Sequence, residues 1–80
     1  RSGVVAFDGE PLAVAAAELN RIYALNLSVE PGLSARPVTG MIQFTGAADR
    51  DVPHLAALIG VAWRREGEGW VLSAHGSAPR

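Results

Sequence analysis

Residues 7–29 read FDGEPLAVAAAELNRIYALNLSV and hold a turn, a helix and a strand in close succession. An apolar strand over residues 4–7 leads into the turn, which covers residues 8–10. A helix is predicted over residues 11–24, because its apolar residues recur at intervals of three and four and therefore share one face. Apolar and polar residues then alternate over residues 25–29, which indicates a strand. This part of the chain therefore predicts a β-α-β unit.

The second half of the chain repeats this order and adds a hairpin. A strand is predicted over residues 38–44, with a bulge or a close backbone approach at Gly40, where the alternation breaks. A second helix is predicted over residues 51–59, with the aspartate at its start as the N-cap. Strands over residues 61–66 and 70–74 are joined by a glycine-bearing turn, which is a hairpin signal.

The two halves also match residue by residue, at a constant offset of 40 between the helices: Leu12, Ala16 and Leu19 correspond to Val52, Ala56 and Ile59. Each unit has an apolar helix face that its own two strands cannot cover, so the two units bury these faces together. The predicted fold is α+β, a β-α-β unit followed by a β-α-β-β unit, in one domain over residues 4–74 with flexible termini at 1–3 and 75–80. The predicted core comprises Leu12, Ala16, Leu19, Ile22, Leu55, Leu58 and Ile59.

The composition is that of a small globular domain and argues against two classes of partner. The 80 residues are 49% hydrophobic with a mean hydropathy of +0.17, and the net charge is −1 without any run of like charge. Nucleic-acid binding and polybasic membrane binding both need clustered positive charge. The chain has no cysteine, which excludes disulfides and thiolate metal sites. No apolar run approaches the roughly 20 residues that a membrane-spanning helix needs.

The polar residues predict no catalytic, metal or cofactor site. The two histidines, His54 and His75, have no partner at a metal-ligand spacing. The carboxylates lie mainly in turns, at helix starts or on exposed helix faces. A catalytic pair of carboxylates needs apolar surroundings that push its two pKa values apart, and nothing in the sequence places them in such surroundings. The serines lack a nucleophile elbow, and the glycines form no phosphate-binding loop. We therefore expect a protein that is not an enzyme and binds no metal and no cofactor.

The tryptophans Trp63 and Trp70 flank the last turn, and two interpretations apply to them. They stabilise the hairpin by packing across it, which we expect of at least one because small cores depend on large aromatic side chains. Alternatively they mark a binding surface, since aromatic residues concentrate at interaction hot spots. The charged residues Arg64, Arg65 and Glu66 on the same hairpin indicate a solvated edge that resists aggregation.

Four segments of the chain together resemble a known family: DGEPL at residues 8–12, ELNRIY at 18–23, VTGMI at 38–42, and the hairpin with its tryptophans and arginines. The chain is similar in them to the C-terminal periplasmic domain of FecR-type regulators, which are anti-sigma factors and sensors of bacterial cell-surface signalling. The β-α-β repeat also resembles the related secretin and TonB N-terminus short domain. The resemblance covers residues 4–73, nearly the whole chain.

Two departures bear on the choice between these relatives. In the FecR pattern the first helix often continues Arg-Tyr, whereas here Ile22 precedes Tyr23. The second helix has VPHL at residues 52–55, without the acidic first turn and Ala-Leu pair common in the receptor and secretin versions. The second departure favours the FecR type. That family places two helices between a two-stranded and a three-stranded sheet.

The resemblance implies a role in signal reception. The expected function is that of a periplasmic protein-interaction module, excised from an inner-membrane anti-sigma regulator. Its implied partner is the N-terminal signalling domain of an outer-membrane TonB-dependent receptor that senses a ferric siderophore or similar ligand. One alternative is the signalling domain of such a receptor or of a secretin. A second alternative, a small-ligand or nucleic-acid binding module, is opposed by the near-neutral charge.

The strand over residues 38–44 is the expected partner-binding element. A domain split into two small sheets has edge strands with unpaired N–H and C=O groups, to which a partner strand can add. No charged residue lies between Val38 and Ala48, so nothing guards this strand. The alternative is a central strand that is apolar on both faces. The candidate partner-binding residues are Thr39, Met41, Ile42, Gln43, Phe44, Trp63 and Trp70.

Overall fold

The computed structural model describes residues 3–74, which form two helices between two small sheets. In chain order the elements are β1 Gly3–Pro11, α1 Leu12–Tyr23, β2 Leu27–Val29, a 3-10 turn Pro31–Leu33, β3 Pro37–Phe44, α2 Ala48–Ile59, β4 Ala62–Glu66 and β5 Gly69–Ser73. The predicted α+β class, with a β-α-β unit followed by a β-α-β-β unit, is confirmed. Neither helix in this part of the chain combines the length and the apolar content that crossing a membrane requires.

The sheets combine strands from both halves of the chain. β1 and β3, the first strands of the two halves, pair antiparallel in a two-stranded sheet. The remaining strands form a three-stranded sheet in the order β2-β5-β4, with β2 parallel and β4 antiparallel to β5. Each helix therefore leads from one sheet to the other. This exchange explains why neither half can bury its helix alone.

The core lies between the sheets and takes side chains from both helices and from every strand except β4, none of whose side chains is buried. Of the predicted core residues, Leu12, Ala16, Leu19 and Leu55 are buried, and Ile22 and Ile59 are half-buried. The prediction for Leu58 was wrong, because its side chain is 56% exposed. Leu55, Ala56 and Ile59 lie three, four and seven residues after Val52, and the four side chains form the inward face of α2. Leu58 lies on the flank of this face.

The bulge in the two-stranded sheet lies in β1 and not in β3. The predicted turn over residues 8–10 is part of β1, and the pairing register shifts between Asp8 and Glu10. Gly9 makes this bulge possible with a φ of 81°, a value that residues other than glycine rarely adopt. Gly40 also has a positive φ, 122°, but it pairs with Phe7 in regular register. The expectation of a bulge or close approach at Gly40 was therefore wrong.

The second helix begins earlier than predicted, at Ala48, so Asp49 and Asp51 lie in its first turn. The expectation that this first turn lacks acidic residues was therefore wrong. Asp51 is almost fully buried and is not the N-cap. Its Oδ1 accepts hydrogen bonds from the N–H and Oγ1 of Thr45, both at 2.9 Å, and its Oδ2 accepts one from the N–H of Gly46 at 2.8 Å. The carboxylate thus holds the strand-to-helix turn from within the helix.

Two residues in the left-handed conformation shorten β2. Ala24 ends α1 with a φ of 56°, and Asn26 has a φ of 57°. β2 therefore begins at Leu27, two residues after the predicted start at Leu25, although Leu25 is still buried.

Of the residues expected to form flexible termini, only Gly3 and its pairing can be compared with the prediction. Gly3, assigned to the flexible end by the sequence, pairs with Phe44 in β1. Residues 1–2 and 75–80, including His75, lie outside the described part of the chain.

Candidate functional site

The strand β3 presents alternate side chains to solvent and to the core. Thr39, Met41 and Gln43 are exposed, and Met41 most of all, at 76%. Ile42 and Phe44 are buried among the core residues. The structure therefore divides the five β3 candidates into three that a partner can reach and two whose side chains belong to the core.

The backbone of each strand in the two-stranded sheet has one side without a partner. Among the described residues, β1 and β3 pair only with one another. The N–H of Asp8 donates to Oε1 of Glu10, which places this N–H on the side away from β3. Backbone groups alternate in direction along a strand, so those of Val4 and Ala6 point the same way as those of Asp8. By the antiparallel register, the backbone groups directed away from β1 are those of Thr39, Met41 and Gln43.

The solvent-facing side of this sheet is an apolar and uncharged surface over most of its length. Val4 lies opposite Gln43, and Ala6 lies opposite Met41, and all four side chains are exposed. We call Val4, Ala6, Met41 and Gln43 the outer face. Exposed apolar surface next to an unpaired strand edge is typical of a site for another chain. Val4 and Ala6 were not predicted as site residues, because residues 4–7 are all apolar and their sequence does not mark which side chains point outward.

The three-stranded sheet has protection at both of its edges. β2 is only three residues long, and the side chain of Asn20 bonds both the N–H and the C=O of Leu27, each at 2.8 Å. On β4, the guanidinium of Arg64 bonds Glu66 at 2.9 Å and Glu30 at 3.2 Å. The hydrogen bonds to Glu66 and then Glu30 raise the pKa of Arg64, a side chain that is charged at physiological pH in any case, and they hold its charge on this edge strand. Covered or charged edges resist strand addition, which leaves the two-stranded sheet as the candidate site.

The two tryptophans are in contact but differ in burial. Their ring centroids lie 5.4 Å apart with an interplanar angle of 48°. The register pairs Trp63 with Leu72 and Trp70 with Arg65, so the rings meet on the diagonal. Trp70 is buried at 6% exposure and carries the Arg65 guanidinium 4.4 Å from its ring centroid. The packing role expected of at least one tryptophan is confirmed for Trp70, while Trp63 is 42% exposed.

The described side chains do not come together as a metal-binding group. Residues 3–74 contain no cluster of three or more histidine, cysteine or carboxylate side chains placed to hold an ion. His54 is exposed on α2. All buried polar side-chain atoms of these residues have a hydrogen-bond partner.

Comparison with known proteins gives a structural match and no sequence match. No family model matches the chain, and no curated protein matches it. The fold is similar to a crystal structure of a "putative anti-sigma factor" from Parabacteroides distasonis, with a TM-score of 0.72 and 17% sequence identity. The match covers 92% of this chain and 35% of that one, so the present chain spans about a third of that protein's length. At this identity the likeness shows a common fold.

Proposed function

We propose that this domain is the signal-receiving, protein-interaction module of a FecR-type anti-sigma regulator. The observation that carries the proposal is the fold shared with the anti-sigma factor from P. distasonis over 92% of this chain. The segments at residues 8–12, 18–23 and 38–42 support the FecR type in particular. In this role the domain acts by binding and not by catalysis.

The proposed partner is the N-terminal signalling domain of an outer-membrane TonB-dependent receptor. Such a partner and this domain meet in the periplasm, with the parent chain anchored in the inner membrane. Binding to the receptor domain passes a signal from a ferric siderophore or similar ligand towards the sigma factor. A transmembrane helix before Arg1 in the parent chain would support this role. A plug and barrel following Arg80 would instead identify a receptor.

The proposed contact is strand addition to the free edge of β3. The backbone groups of Thr39, Met41 and Gln43 supply the hydrogen bonds, and the exposed Met41 supplies apolar area beside them. Ile42 and Phe44 support this edge from the core. Trp63 is the exposed alternative on the other sheet.

The test is a calorimetric titration of the receptor domain into wild-type chain and two variants at one position. Gln43→Pro removes an N–H that points away from β1, so no hydrogen bond to β1 is lost. Proline is tolerated at such a position of an edge strand. Gln43→Thr is the matched control, since it changes the same side chain and keeps the N–H. We expect about tenfold weaker binding for Gln43→Pro and nearly unchanged binding for Gln43→Thr, as the loss of one or two backbone hydrogen bonds predicts.

Circular dichroism and a thermal melt establish that both variants are folded before the titration. Equal affinity of the two folded variants would exclude the β3 edge. Absence of binding by wild-type chain would exclude this receptor domain as the partner. Substitution of Ile42 is unsuitable for this purpose, because its buried side chain would test the core instead of the edge.

A further inference from the structure

A groove runs between β1 and the flank of α1, on the opposite side of the two-stranded sheet from the free edge of β3. Its volume is about 140 Å³. The β1 side is formed by Val5, Ala6, Phe7 and Glu10, and the α1 side by Val14, Ala15 and Glu18. We call this the β1–α1 groove.

The floor of the groove offers backbone hydrogen bonds. The N–H and C=O groups of Val4 and Ala6 are directed away from β3, and β1 has no other strand partner within residues 3–74. At Asp8 the outward N–H is already occupied by the Glu10 carboxylate. An added strand can therefore pair along residues 4–6, and its backbone pairing must end before Asp8.

The wall of the groove offers apolar contact. Val14 is 53% exposed on a helix whose other face is buried, so a strand beside β1 would cover it. The groove is comparable in volume with the cavity of about 150 Å³ that holds a single benzene in an engineered protein. It is well below the roughly 300 Å³ of the smallest typical sites for drug-sized ligands. The size therefore favours one inserted side chain over a small-molecule ligand.

The charges of the groove are acidic. Glu10 and Glu18 both line it, and none of its lining residues is basic. Glu18 pairs with Arg21 at the surface, where the two side chains are 43% and 70% exposed. Such an exposed pair is worth little and exchanges readily for another cation. A lysine or arginine of an added strand would meet two carboxylates and form charge-assisted hydrogen bonds.

We propose that the β1–α1 groove binds an extended segment of a partner protein, which adds to β1 as a strand and places a lysine or arginine between Glu10 and Glu18. The combination of an unpaired edge, an apolar helix wall and two carboxylates carries this proposal. It goes beyond the proposed function, since it concerns a different edge of the sheet and does not depend on the identity of the receptor.

The first test uses a synthetic peptide as the probe. The acetylated and amidated peptide Thr-Val-Thr-Arg-Thr-Val-Thr presents valine, arginine and valine on one face of an extended strand. Its counterpart has glutamate in place of arginine. We expect the arginine peptide to bind with a Kd of about 1 mM or below, and the glutamate peptide to bind about tenfold more weakly. Nuclear magnetic resonance of the labelled chain should show the largest amide shifts at Val4, Ala6 and Val14.

Three variants distinguish the contribution of the β1 edge to peptide binding from that of the two carboxylates. Ala6→Pro removes an outward N–H in the groove and should weaken the arginine peptide about tenfold, whereas Ala6→Thr keeps the N–H and should bind within about twofold of wild type. The double substitution Glu10→Gln with Glu18→Gln should remove most of the preference for the arginine peptide and leave binding of the glutamate peptide unchanged or stronger.

Each contrary result overturns the proposal. Largest shifts at Thr39, Met41 and Gln43 would place the peptide on the other edge. No binding of the arginine peptide at several times 1 mM, or equal binding of both peptides, would remove the case for a basic segment. A dimer of the wild-type chain in light scattering, with the amides of Val4 and Ala6 protected from exchange, would assign the groove to a second copy.

Discussion

The side chain of Asn20 forms two hydrogen bonds with the backbone of Leu27, donating from Nδ2 to the C=O and accepting at Oδ1 from the N–H, each at 2.8 Å. The side chain of Asn20 on α1 thereby makes the two backbone hydrogen bonds that a neighbouring strand would make with Leu27, the first residue of β2. The bonds cross the turn formed by Ala24 and Asn26, both in the left-handed conformation. They fix the angle at which the chain leaves the helix and close the outer edge of the three-stranded sheet.

Replacement of Asn20 should therefore destabilise the domain although the residue is only half-buried. Asn20→Ala leaves the N–H and C=O of Leu27 without protein partners, at a cost of about 1–3 kcal/mol. In a domain of this size, this corresponds to a loss of about 4–8 °C in Tm per kcal/mol. Arg21→Ala, which breaks only the exposed pair with Glu18, should cost about 0.5 kcal/mol or less. Thermal and urea unfolding of the two variants measures the difference, and equal values would contradict the role of Asn20.

The buried carboxylate of Asp51, in the first turn of α2, should contribute more to the free energy of unfolding than an exposed carboxylate in the same turn. Asp51→Ala removes three hydrogen bonds that the buried carboxylate accepts from Thr45 and Gly46. A hydrogen bond to a charged group contributes about 1.5–3 kcal/mol, so the variant should lose about 3 kcal/mol or more. Asp49→Ala, at an exposed position two residues earlier in the same turn, should lose about 1 kcal/mol or less through the helix dipole. Chemical denaturation compares the two, and a similar loss for both would show that burial of Asp51 adds nothing.

The positions where prediction from sequence failed share a physical cause. Asp51 follows a turn and precedes an apolar run, which is the pattern of an N-cap, but its bonds are decided by a helix that begins three residues earlier. The role of Asn20 depends on two non-glycine residues with positive φ, which local propensity does not predict. The helices and strands themselves were predictable because apolar periodicity is a property of the sequence.

The sequence does not predict which strand pairs with which. The family resemblance implies two small sheets, and the sequence indicates that β3 is poorly guarded. Pairing of β1 with β3 depends on contacts far apart in the chain. Both Gly9 and Gly40 have a positive φ, yet only the first lies at a bulge, because the register decides which strand carries the extra residue. The β1–α1 groove follows from that pairing and has no signal of its own in the sequence.

Two leucines on the helices, one buried and one exposed, allow a direct comparison of stability. Leu19 is fully buried, and Leu19→Ala should cost about 2–5 kcal/mol through lost burial and a residual cavity. In so small a domain this loss is a large part of the total free energy of unfolding. Leu58→Ala should change stability by only about 0.5 kcal/mol, because Leu58 is exposed and alanine favours the helix. A thermal melt of Leu19→Ala that matches wild type would contradict the placement of α1.

The exposed tryptophan provides the last prediction, which distinguishes its packing role from a binding role. Trp63→Ala loses the contact with the Trp70 ring, worth about 0.5–1.5 kcal/mol, whereas Trp70→Ala should cost about 3–5 kcal/mol because it empties a core position. Since Trp63 lies on β4, in the other sheet, its removal should leave affinity for the receptor domain within about twofold if the partner adds to β3. Calorimetric titration of folded Trp63→Ala beside Gln43→Pro makes the comparison. A tenfold loss in Trp63→Ala with unchanged binding in Gln43→Pro would move the receptor site to the hairpin.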